Sequence, residues 1–491
     1  MRLERFGYAS VEDLREDQDR RLARFVREQI EPYHPHYGRV LKEAGLTGRI
    51  RSVADLRHLP FTSKADLLPR PGEPERIRDF VLQPTRELLR KHAPLRKKIQ
   101  LLGDFLLGGA ERALHRIEQE YLPVFLTATT GRSARPVPFL YTLHDIEILK
   151  TAGRRLIDVL GIAHDAKTVN LFPYAPHLAF WQVTMAGLAH GVMVIGTGGG
   201  RVSSTEANIQ LIERLGAECV VGVPSYVYHL LRRAARSGAR FAKLKQVVLG
   251  AEKITDGLKD KIRETCVELG APDVRVFGTF GFTEARMAFA EMPTEKSTGY
   301  HLYPDLGLFE IVDPKTGEVL PDDADGELVY TPLDGRGTLV MRFRTGDLVK
   351  GGIRYENVPQ FGGIVPRLSA EISRVSNVRE VNLKKVKGTL IDLNELAAVL
   401  QDAPQVEEWQ VEIRKKDDDP YEVDELVLLL SLKNGAALSA EFKQQLGERI
   451  QTSCEIQPNE IRVLPLDELV LRLGLETEMK EKRIVDARPK K

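Results

Sequence analysis

Cysteine is scarce in this chain of 491 residues, and the three cysteines that occur lie far apart. Cys219, Cys266 and Cys454 form no Cys-x-x-Cys pair, which argues against a disulfide framework and against a structural zinc site. Such sparing use of cysteine is typical of proteins from a reducing compartment.

Long hydrophobic runs and an excess of charge of one sign are also missing. No stretch approaches the length of a membrane span, and residues 1–17 carry charges without the apolar core of a signal peptide. The formal net charge is +1, so no global field draws the chain to nucleic acid or to an anionic membrane. These absences predict a cytoplasmic protein with no nucleic acid and no membrane among its partners.

The composition is that of a globular protein with more than one domain. Apolar residues make up 42% and charged residues 29%, and 491 residues exceed one ordinary core. Basic helix formers dominate residues 69–122 without any strand pattern, so we predict a helical insertion there. Its basic run from Arg90 to Lys98 could meet an anionic partner, although a solvated helix face is the default interpretation.

From Phe125 to Phe277, strand patterns alternate with helical patterns. Such alternation predicts an α/β fold with a mainly parallel sheet covered by helices on both faces. Ligands of such sheets bind beyond the carboxyl ends of the strands, so the loops that follow the strands are the places to search for a site.

After Gly299 the predicted pattern changes. Strands over 307–312, 326–331 and 338–344 follow one another without helices, which predicts a small antiparallel unit. Residues 380–463 then show the order strand, helix, strand, strand, helix, strand, which is ferredoxin-like and predicts an α+β domain. The tail that follows is predicted to be a loop.

Two stretches follow predicted strands and suit a bound ligand. Thr127 to Arg132 combines hydroxyls, a glycine and a cation, which can hold an anion, although it lacks the spacing of a Walker A loop. In Gly250-Ala251-Glu252, small residues at a strand end let a flat group approach the backbone. A Rossmann site is excluded because Gly198-Gly199-Gly200 lacks the Gly-x-Gly-x-x-Gly spacing.

Two later stretches offer a stacking face and carboxylates. In Phe280 to Glu284, an aromatic ring stands beside Gly281, and Thr283 and Glu284 offer oxygens for a hydroxyl or for Mg²⁺. Arg342 to Asp347 ends in a carboxylate after a predicted tight turn, which suits a vicinal diol such as that of a ribose.

In this order, the four stretches resemble motifs of the adenylate-forming superfamily of acyl-CoA synthetases, adenylation domains and luciferases, above all its phenylacetate–CoA ligase-like branch. Arg344-Thr345-Gly346-Asp347 matches the Arg-Thr-Gly-Asp of that family as it stands. Leu59 to Lys64 and Glu478 to Asp486 resemble two further motifs near the ends of the chain. The resemblance covers nearly the whole sequence apart from residues 69–122.

The resemblance implies residues that bind ATP. Those implied for the β- and γ-phosphates are Thr127, Thr129, Thr130, Gly131 and Arg132. Those implied for adenine are Gly250, Ala251, Glu252, Gly281 and the stacking ring of Phe280. Asp347, helped by Arg379, would bind the ribose hydroxyls.

It also implies catalytic residues and a two-step reaction. Thr283 would meet the α-phosphate, Glu284 would hold Mg²⁺, and Lys480 would neutralise charge as a carboxylate attacks the α-phosphate of ATP. Acyl-AMP and pyrophosphate would form first. A mobile small domain, residues 379–491, would then rotate on the large domain, residues 1–378, and the thiol of CoA would take the acyl group.

The chain departs from the family pattern at several positions. Ala128 stands where the family prefers glycine, Arg132 where it prefers lysine, and Val381 where the hinge carboxylate is usual. Met479 and Glu481 flank Lys480 with bulk where the family has small residues. Ala128, Val381 and the crowded segment around Lys480 keep open a nucleotide-binding homologue with weakened catalysis. No cysteines occur in 351–366, where some relatives carry them, so no zinc is expected.

Neither the acid nor the acceptor follows from the sequence. Tyr174, His177 and Tyr226 are the residues predicted to line the pocket for the carboxylic acid. CoA is the leading acceptor, and an adenylating ligase that uses a protein or an amine is the alternative. A homodimer is left open.

Overall fold

A computed structural model describes residues 4–70, 72–129, 136–174, 176–293, 299–374, 383–386, 389–416, 423–476 and 481–488. Contacts group the chain into two units. Unit 1 comprises Met1–Asp165, Ala175–Val194 and Thr279–Ile372, and unit 2 comprises Ala166–Tyr174, Ile195–Gly278 and Ser373–Lys491. The predicted small domain therefore lies within unit 2, and its boundary at 378/379 stays a prediction.

Unit 1 begins with helices. The helix Val11–Phe25 starts after Ser10, whose hydroxyl accepts a hydrogen bond from Asp13 N at 3.1 Å. The other α-helices of unit 1 in the described residues are Glu31–Tyr33, Pro35–Glu43, Lys64–Leu67, Arg86–His92, Leu95–Tyr121, Leu143–Leu160 and Leu178–His190. Short 3₁₀ or π segments occupy Val26–Ile30, Val53–His58 and Arg76–Phe80.

Helices occupy much of residues 69–122, as predicted, whereas their status as an insertion stays a prediction. The helix Leu95–Tyr121 is a hairpin of two arms, because its backbone leaves helical geometry at Gly108 and at Gly109, where φ is +71°. Lys97 forms an ion pair with Glu120 across the two arms. We call residues 95–121 the helical hairpin.

The strands of unit 1 are antiparallel, as predicted for the part after Gly299. Pro123–Ala128 pairs with Pro138–Thr142. Gly307–Val312, Gly326–Pro332 and Phe343–Val349 pair in that order, and Ile353–Val358, Gly363–Leu368 and Tyr300–His301 form another antiparallel group. The strand Ile372–Arg374 follows.

The strand predicted over 338–344 is wrong. Thr338 N and Leu339 N donate to Leu140 O and Phe80 O, so this apolar run is not in a ladder. The strand begins only at Phe343, and Asp347 therefore lies inside a strand rather than after a turn.

Unit 2 contains the predicted parallel sheet. Lys167–Asn170, Cys219–Gly222, Gln246–Leu249 and the first half of Arg275–Phe282 pair in parallel in that order, and Met193–Gly196 is a further strand. The helices between them are Thr205–Leu215, Pro224–Arg236 and Asp256–Glu268. Their apolar faces share one buried core with the strands. The helix Pro224–Arg236 begins with a proline, whose fixed φ and missing N–H suit the first helical position.

The end of unit 2 differs from the predicted ferredoxin-like order. The first strand, Leu383–Val386, forms a separate hairpin with Thr389–Asp392. The helix Leu393–Gln401 leads to an antiparallel pair, Val406–Lys415 and Asp424–Leu432. The helices Ala440–Cys454 and Leu466–Leu473 flank the strand Glu460–Val463, which is parallel to Asp424–Leu432.

The fourth strand of this sheet comes from the tail that was predicted to be a loop. Ile484–Asp486 pairs in parallel with Val411 to Ile413. Three residues are too few to show the alternation of apolar and polar side chains that predicts a strand. This strand is therefore recognised only from its pairing with Val411 to Ile413.

Candidate functional site

The Thr-rich stretch follows a strand, as predicted, and its first residues hold two strands together. The hydroxyl of Thr127, which is buried, lies 3.1 Å from the hydroxyl of Tyr141. Thr129 Oγ1 accepts a hydrogen bond from Val137 N at 3.0 Å. Both hydroxyls thus fix the base of the turn. Thr130, Gly131 and Arg132 lie outside the described residues.

His177 contacts the base of the same turn within unit 1. Ala128 N donates to Pro176 O at 2.5 Å, and His177 Nδ1 lies 3.2 Å from Ala128 O. Because a carbonyl oxygen only accepts, Nδ1 carries the proton in this contact. His177 Nε2 is buried and has no hydrogen-bond partner among the residues that the structure describes.

The stretch from Phe280 to Glu284 begins inside a strand, which runs to Phe282 and not to Phe277 as predicted. In unit 1 its last residues pair antiparallel with Met287–Ala290. The ring of Phe280 lies 5.7 Å from that of Tyr300 at an interplanar angle of 32°. A Cβ at Gly281 would stand 3.0 Å from Met287 O, so glycine allows the strands to approach.

A buried ion pair fixes the turn that carries Thr283 and Glu284. Asp145 Oδ1 accepts from Arg286 Nη1 at 2.5 Å and from Arg336 N at 2.9 Å. Its Oδ2 accepts from Thr142 N at 2.9 Å and from Gly337 N at 2.7 Å. Burial raises the pKa of Asp145, but the charge of Arg286 and the N–H donors hold it below its ordinary value.

Sequence reasoning missed the ion pair of Asp145 and Arg286. A signal for Asp145 was present, because Thr142 and Asp145 have the spacing of a capping box at the helix Leu143–Leu160. Nothing in the sequence indicated Arg286, whose φ of +58° is unusual for a residue with a side chain.

Tyr141 links the Thr-rich stretch to the charges of the site. Its hydroxyl lies 3.1 Å from that of Thr127. Burial is the main cause that raises the pKa of Tyr141, and the charge of Glu284 is the smallest of the named causes that raise it further.

Asp347 is buried on a rigid strand. It is 2% exposed, and the left-handed Gly346 (φ +75°) precedes it. Asp347 N donates to Thr345 Oγ1 at 3.0 Å, and that hydroxyl donates to Leu328 O at 2.9 Å. Arg344 forms an ion pair with Glu327 on the neighbouring strand. These hydrogen bonds and this ion pair hold the backbone that carries the Asp347 side chain.

In unit 2, Gly250-Ala251-Glu252 follows the strand Gln246–Leu249. Ala251 is left-handed, with φ +72°, a conformation that costs free energy in a residue with a Cβ and occurs often at functional sites. Glu252 Oε2 accepts from Ser225 N at 3.3 Å. Burial and the nearby charge of Glu481 raise the pKa of Glu252 to about 8, against the opposing charge of Arg483.

The two predicted pocket tyrosines of unit 2 differ. Tyr226 is buried, its hydroxyl accepts from Asn208 Nδ2 at 3.0 Å, and a Cβ at Gly200 would stand 2.8 Å from its ring. Its hydroxyl is therefore engaged within the protein. Tyr174 is exposed and lies beside Gly198.

Lys480 and Arg379 lie outside the described residues, but the residues on both sides of Lys480 are anchored. Glu476 Oε1 accepts from Thr205 Oγ1 at 2.8 Å and lies 3.2 Å from His229 Nε2. The hydrogen bond with His229, more than any other cause, lowers the pKa of Glu476 to about 2.

On the other side of Lys480, Arg483 Nε lies 2.7 Å from Glu481 and its Nη1 lies 2.6 Å from Glu408. Lys482 N donates to Leu473 O at 3.0 Å. Sequence reasoning missed these anchors because they depend on tertiary contacts.

Comparison with known proteins places these motifs in a family. A family model described as AMP-binding enzyme matches residues 147–341, which include the stretches at Gly250 and Phe280. The phenylacetate-coenzyme A ligase of Thermus thermophilus is 26% identical over 349 residues, 70% of this chain and 67% of that one. The phenylacetate-coenzyme A ligase of Aromatoleum evansii is 29% identical over 357 residues, 71% of this chain and 69% of that one. These similarities support a place for the chain in the adenylate-forming superfamily.

In sequence the chain is phenylacetate–CoA ligase-like, and a solved structure supports the fold. The 2-hydroxyisobutyryl-CoA ligase in the postadenylation state, in complex with 2-HIB-AMP, superposes with a TM-score of 0.71 at 20% identity, over 98% of this chain and 91% of that one. The α/β fold class predicted from the sequence is confirmed.

No helix in the described parts of the chain combines the length and the hydropathy that crossing a bilayer requires.

Proposed function

We propose that this chain is an AMP-forming carboxylate–CoA ligase. It would use ATP to convert a carboxylic acid to acyl-AMP with release of pyrophosphate, and then pass the acyl group to the thiol of CoA. The similarity to phenylacetate-coenzyme A ligases supports this activity. The structural observation that carries it furthest is the contact of Thr127 with Tyr141, a buried tyrosine whose pKa the charge of Glu284 also raises.

The first step requires an anion to attack an anion. A carboxylate oxygen attacks the α-phosphorus of ATP, and the bond from that phosphorus to the pyrophosphate oxygen breaks. Thr127 and Thr129 would shape the turn from which Thr130, Gly131 and Arg132 hold the β- and γ-phosphates. Asp347 would accept hydrogen bonds from the ribose hydroxyls, and Phe280 would stack on adenine.

The oxygen donors of Thr283 and Glu284 suit a hard cation, so we assign Mg²⁺ to Glu284. When bound there, Mg²⁺ would neutralise phosphate charge as pyrophosphate leaves. The protein's own contribution is the ion pair of Asp145 and Arg286, which fixes the turn that presents Glu284. We assign to Lys480 the charge that stabilises the transition state at the α-phosphate.

His177 gives an indication of the acid. Its Nδ1 faces Ala128 O and so carries a proton, and in that tautomer of the imidazole Nε2 is an acceptor. An acceptor suits a hydroxyl or amino substituent of the substrate better than it suits a carboxylate. We therefore favour acids that carry a hydrogen-bond donor apart from their carboxyl group.

The test is ATP–pyrophosphate exchange without CoA, across aryl, short-chain and long-chain acids with and without a hydroxyl or amino group. Exchange that depends on one class of acid would establish adenylation. Thioester formation on adding CoA would establish the acceptor, whereas acyl-AMP without thioester would point to a protein or an amine. Absence of exchange in the wild-type chain together with absence of ATP binding by calorimetry would overturn the proposal.

Two variants assign the roles of residues in this test. Lys480→Ala should abolish exchange yet leave thioester formation from preformed acyl-AMP largely intact, so equal loss of both would contradict its assignment. Asp347→Ala should weaken ATP binding, and unchanged affinity would remove it from the nucleotide site.

A further inference from the structure

The helical hairpin presents its apolar side chains outward. Leu95, Ile99, Leu102 and Leu106 follow one another at helical spacing, so they form one stripe along the first arm. Their exposed fractions are 74%, 61%, 58% and 75%. We call these four residues the leucine stripe. Exposed apolar residues that form a continuous surface mark sites of interaction, whereas scattered ones do not.

The other side of the same arm carries charges toward the second arm. Lys97 forms an ion pair with Glu120, and Asp104, which is buried, pairs with both Arg112 and Arg116. The usual arrangement, with leucines inside and charges outside, is therefore reversed. These ion pairs hold the arms together, so the stripe cannot turn inward without breaking them.

The surroundings of the stripe are cationic. Residues 88–103 contain Arg90, Lys91, Arg96, Lys97 and Lys98 and no aspartate or glutamate. Arg96 and Lys98 are exposed and flank the stripe, and Arg90 and Lys91 are exposed on the preceding helix. A net charge of +1 for the whole chain conceals this local concentration of positive charge.

We propose that the leucine stripe and its flanking cations dock on an anionic lipid surface, with the first arm lying in the plane of the interface. Helices that combine an apolar face of Leu or Phe with flanking Lys and Arg bind membranes in this way, through buried apolar area together with attraction to anionic headgroups. The exposed Phe105 and Leu107 at the end of the arm extend the apolar surface toward Gly108.

A second copy of the chain fits this surface less well. In a twofold dimer the same patch meets itself, so the cations of one copy would face those of the other. A lipid surface instead supplies the opposite charge and accepts the convex face of a helix without a matching groove.

The experiment is flotation of the full chain with phosphatidylcholine vesicles, with and without about 30% phosphatidylglycerol, at low and at high salt. We expect the chain to float with anionic vesicles at low salt and to be released at high salt, because salt screens the cations. Absence of flotation with anionic vesicles at low salt would overturn the proposal.

Two pairs of substitutions locate the surface. Leu102→Ser with Leu106→Ser, and separately Arg96→Glu with Lys98→Glu, should each lower the bound fraction about tenfold or more. The matched controls are Leu471→Ser, which is 76% exposed, and Lys443→Glu, which lies on the exposed side of another helix. Binding equal to wild type in both test variants would show that another surface is responsible and would overturn the proposal.

A fluorescent reporter distinguishes insertion from self-association. Tryptophan emission of a Leu106→Trp variant should shift to the blue with anionic vesicles and not with neutral ones. A shift that instead follows protein concentration without vesicles, with a dimer seen by sedimentation, would assign the stripe to a second copy and reject lipid.

Discussion

Asp145 in unit 1 is buried and Glu252 in unit 2 is partly buried, and their pKa values move in opposite directions. Asp145 accepts hydrogen bonds from three backbone N–H groups and from Arg286, and its pKa lies below the ordinary value. Glu252 accepts one backbone hydrogen bond at 3.3 Å, has Glu481 nearby, and has a pKa raised to about 8. The supply of donors and the sign of the neighbouring charge therefore decide whether such an acid keeps its charge.

The difference suits two roles. A permanently charged Asp145 keeps Arg286 in place and so holds the turn of Thr283 and Glu284. A Glu252 that keeps its proton near neutral pH adds no negative charge to the segment that we propose lines adenine. It can also donate a hydrogen bond, which a carboxylate cannot.

The largest effect is expected from Arg286→Met. It would leave the charge of Asp145 buried without its partner, so we expect the free energy of unfolding to fall by about 3–5 kcal/mol. Chemical denaturation measures this. The double variant with Asp145→Asn should recover part of the loss. A fall of less than about 1 kcal/mol would show that the backbone donors alone sustain Asp145.

Glu252→Gln should change how stability depends on pH. The native group keeps its proton up to about pH 8, whereas the unfolded group loses it near 4.5, so stability should fall as pH rises between these values. The Glu252→Gln variant should lack the part of this fall in stability that the titration of Glu252 causes. Unfolding measured at several pH values tests this, and identical curves for the two proteins would reject the raised pKa.

Glu481→Gln tests whether the neighbouring charge raises the pKa of Glu252. Removing the neighbouring negative charge should lower the pKa of Glu252, so the fall in stability should end at a lower pH than in the wild type. Glu481→Asp, which keeps the charge, is the matched control. If stability stops falling at the same pH in both variants, burial alone raises the pKa of Glu252.

The smallest effect is expected from Glu476→Gln. The pKa of Glu476 is lowered to about 2, so its contribution to stability is present above about pH 4.5 and is lost as pH falls toward 2. At neutral pH we expect ATP–pyrophosphate exchange to slow a few-fold, because an anchor beside Lys480 is weakened. Glu468→Gln, an exposed acid on the preceding helix, is the control and should leave exchange unchanged. Equal exchange in the two variants would remove Glu476 from a positioning role.

Short apolar runs with clear boundaries could be predicted from the sequence. The strand Gly307–Val312 has the predicted bounds, because its four apolar residues follow Gly307 and end before Asp313-Pro314. The run at 338–342 reads equally well as a strand. Only its hydrogen bonds to Phe80 and Leu140, far away in sequence, decide otherwise.

Candidate site residues could be proposed from the sequence where a motif is continuous, and not where residues distant in sequence come together. Asp347 and Glu284 belong to short stretches that resemble family motifs. Arg286 forms an ion pair with Asp145, which is 141 residues away in sequence, and Glu476 contacts His229, which is 247 residues away. No local pattern encodes such pairs, because they depend on how the elements pack.

The strand Ile484–Asp486 has a consequence for truncated versions of the chain. It covers one side of Val406–Lys415, so deletion from Ile484 onward would turn that buried strand into an open sheet edge. Unpaired N–H and C=O groups in a row are a template for β-pairing between molecules. A shortened chain would therefore show its defect first as aggregation on storage, while most of the apolar core beneath the sheet stayed in place.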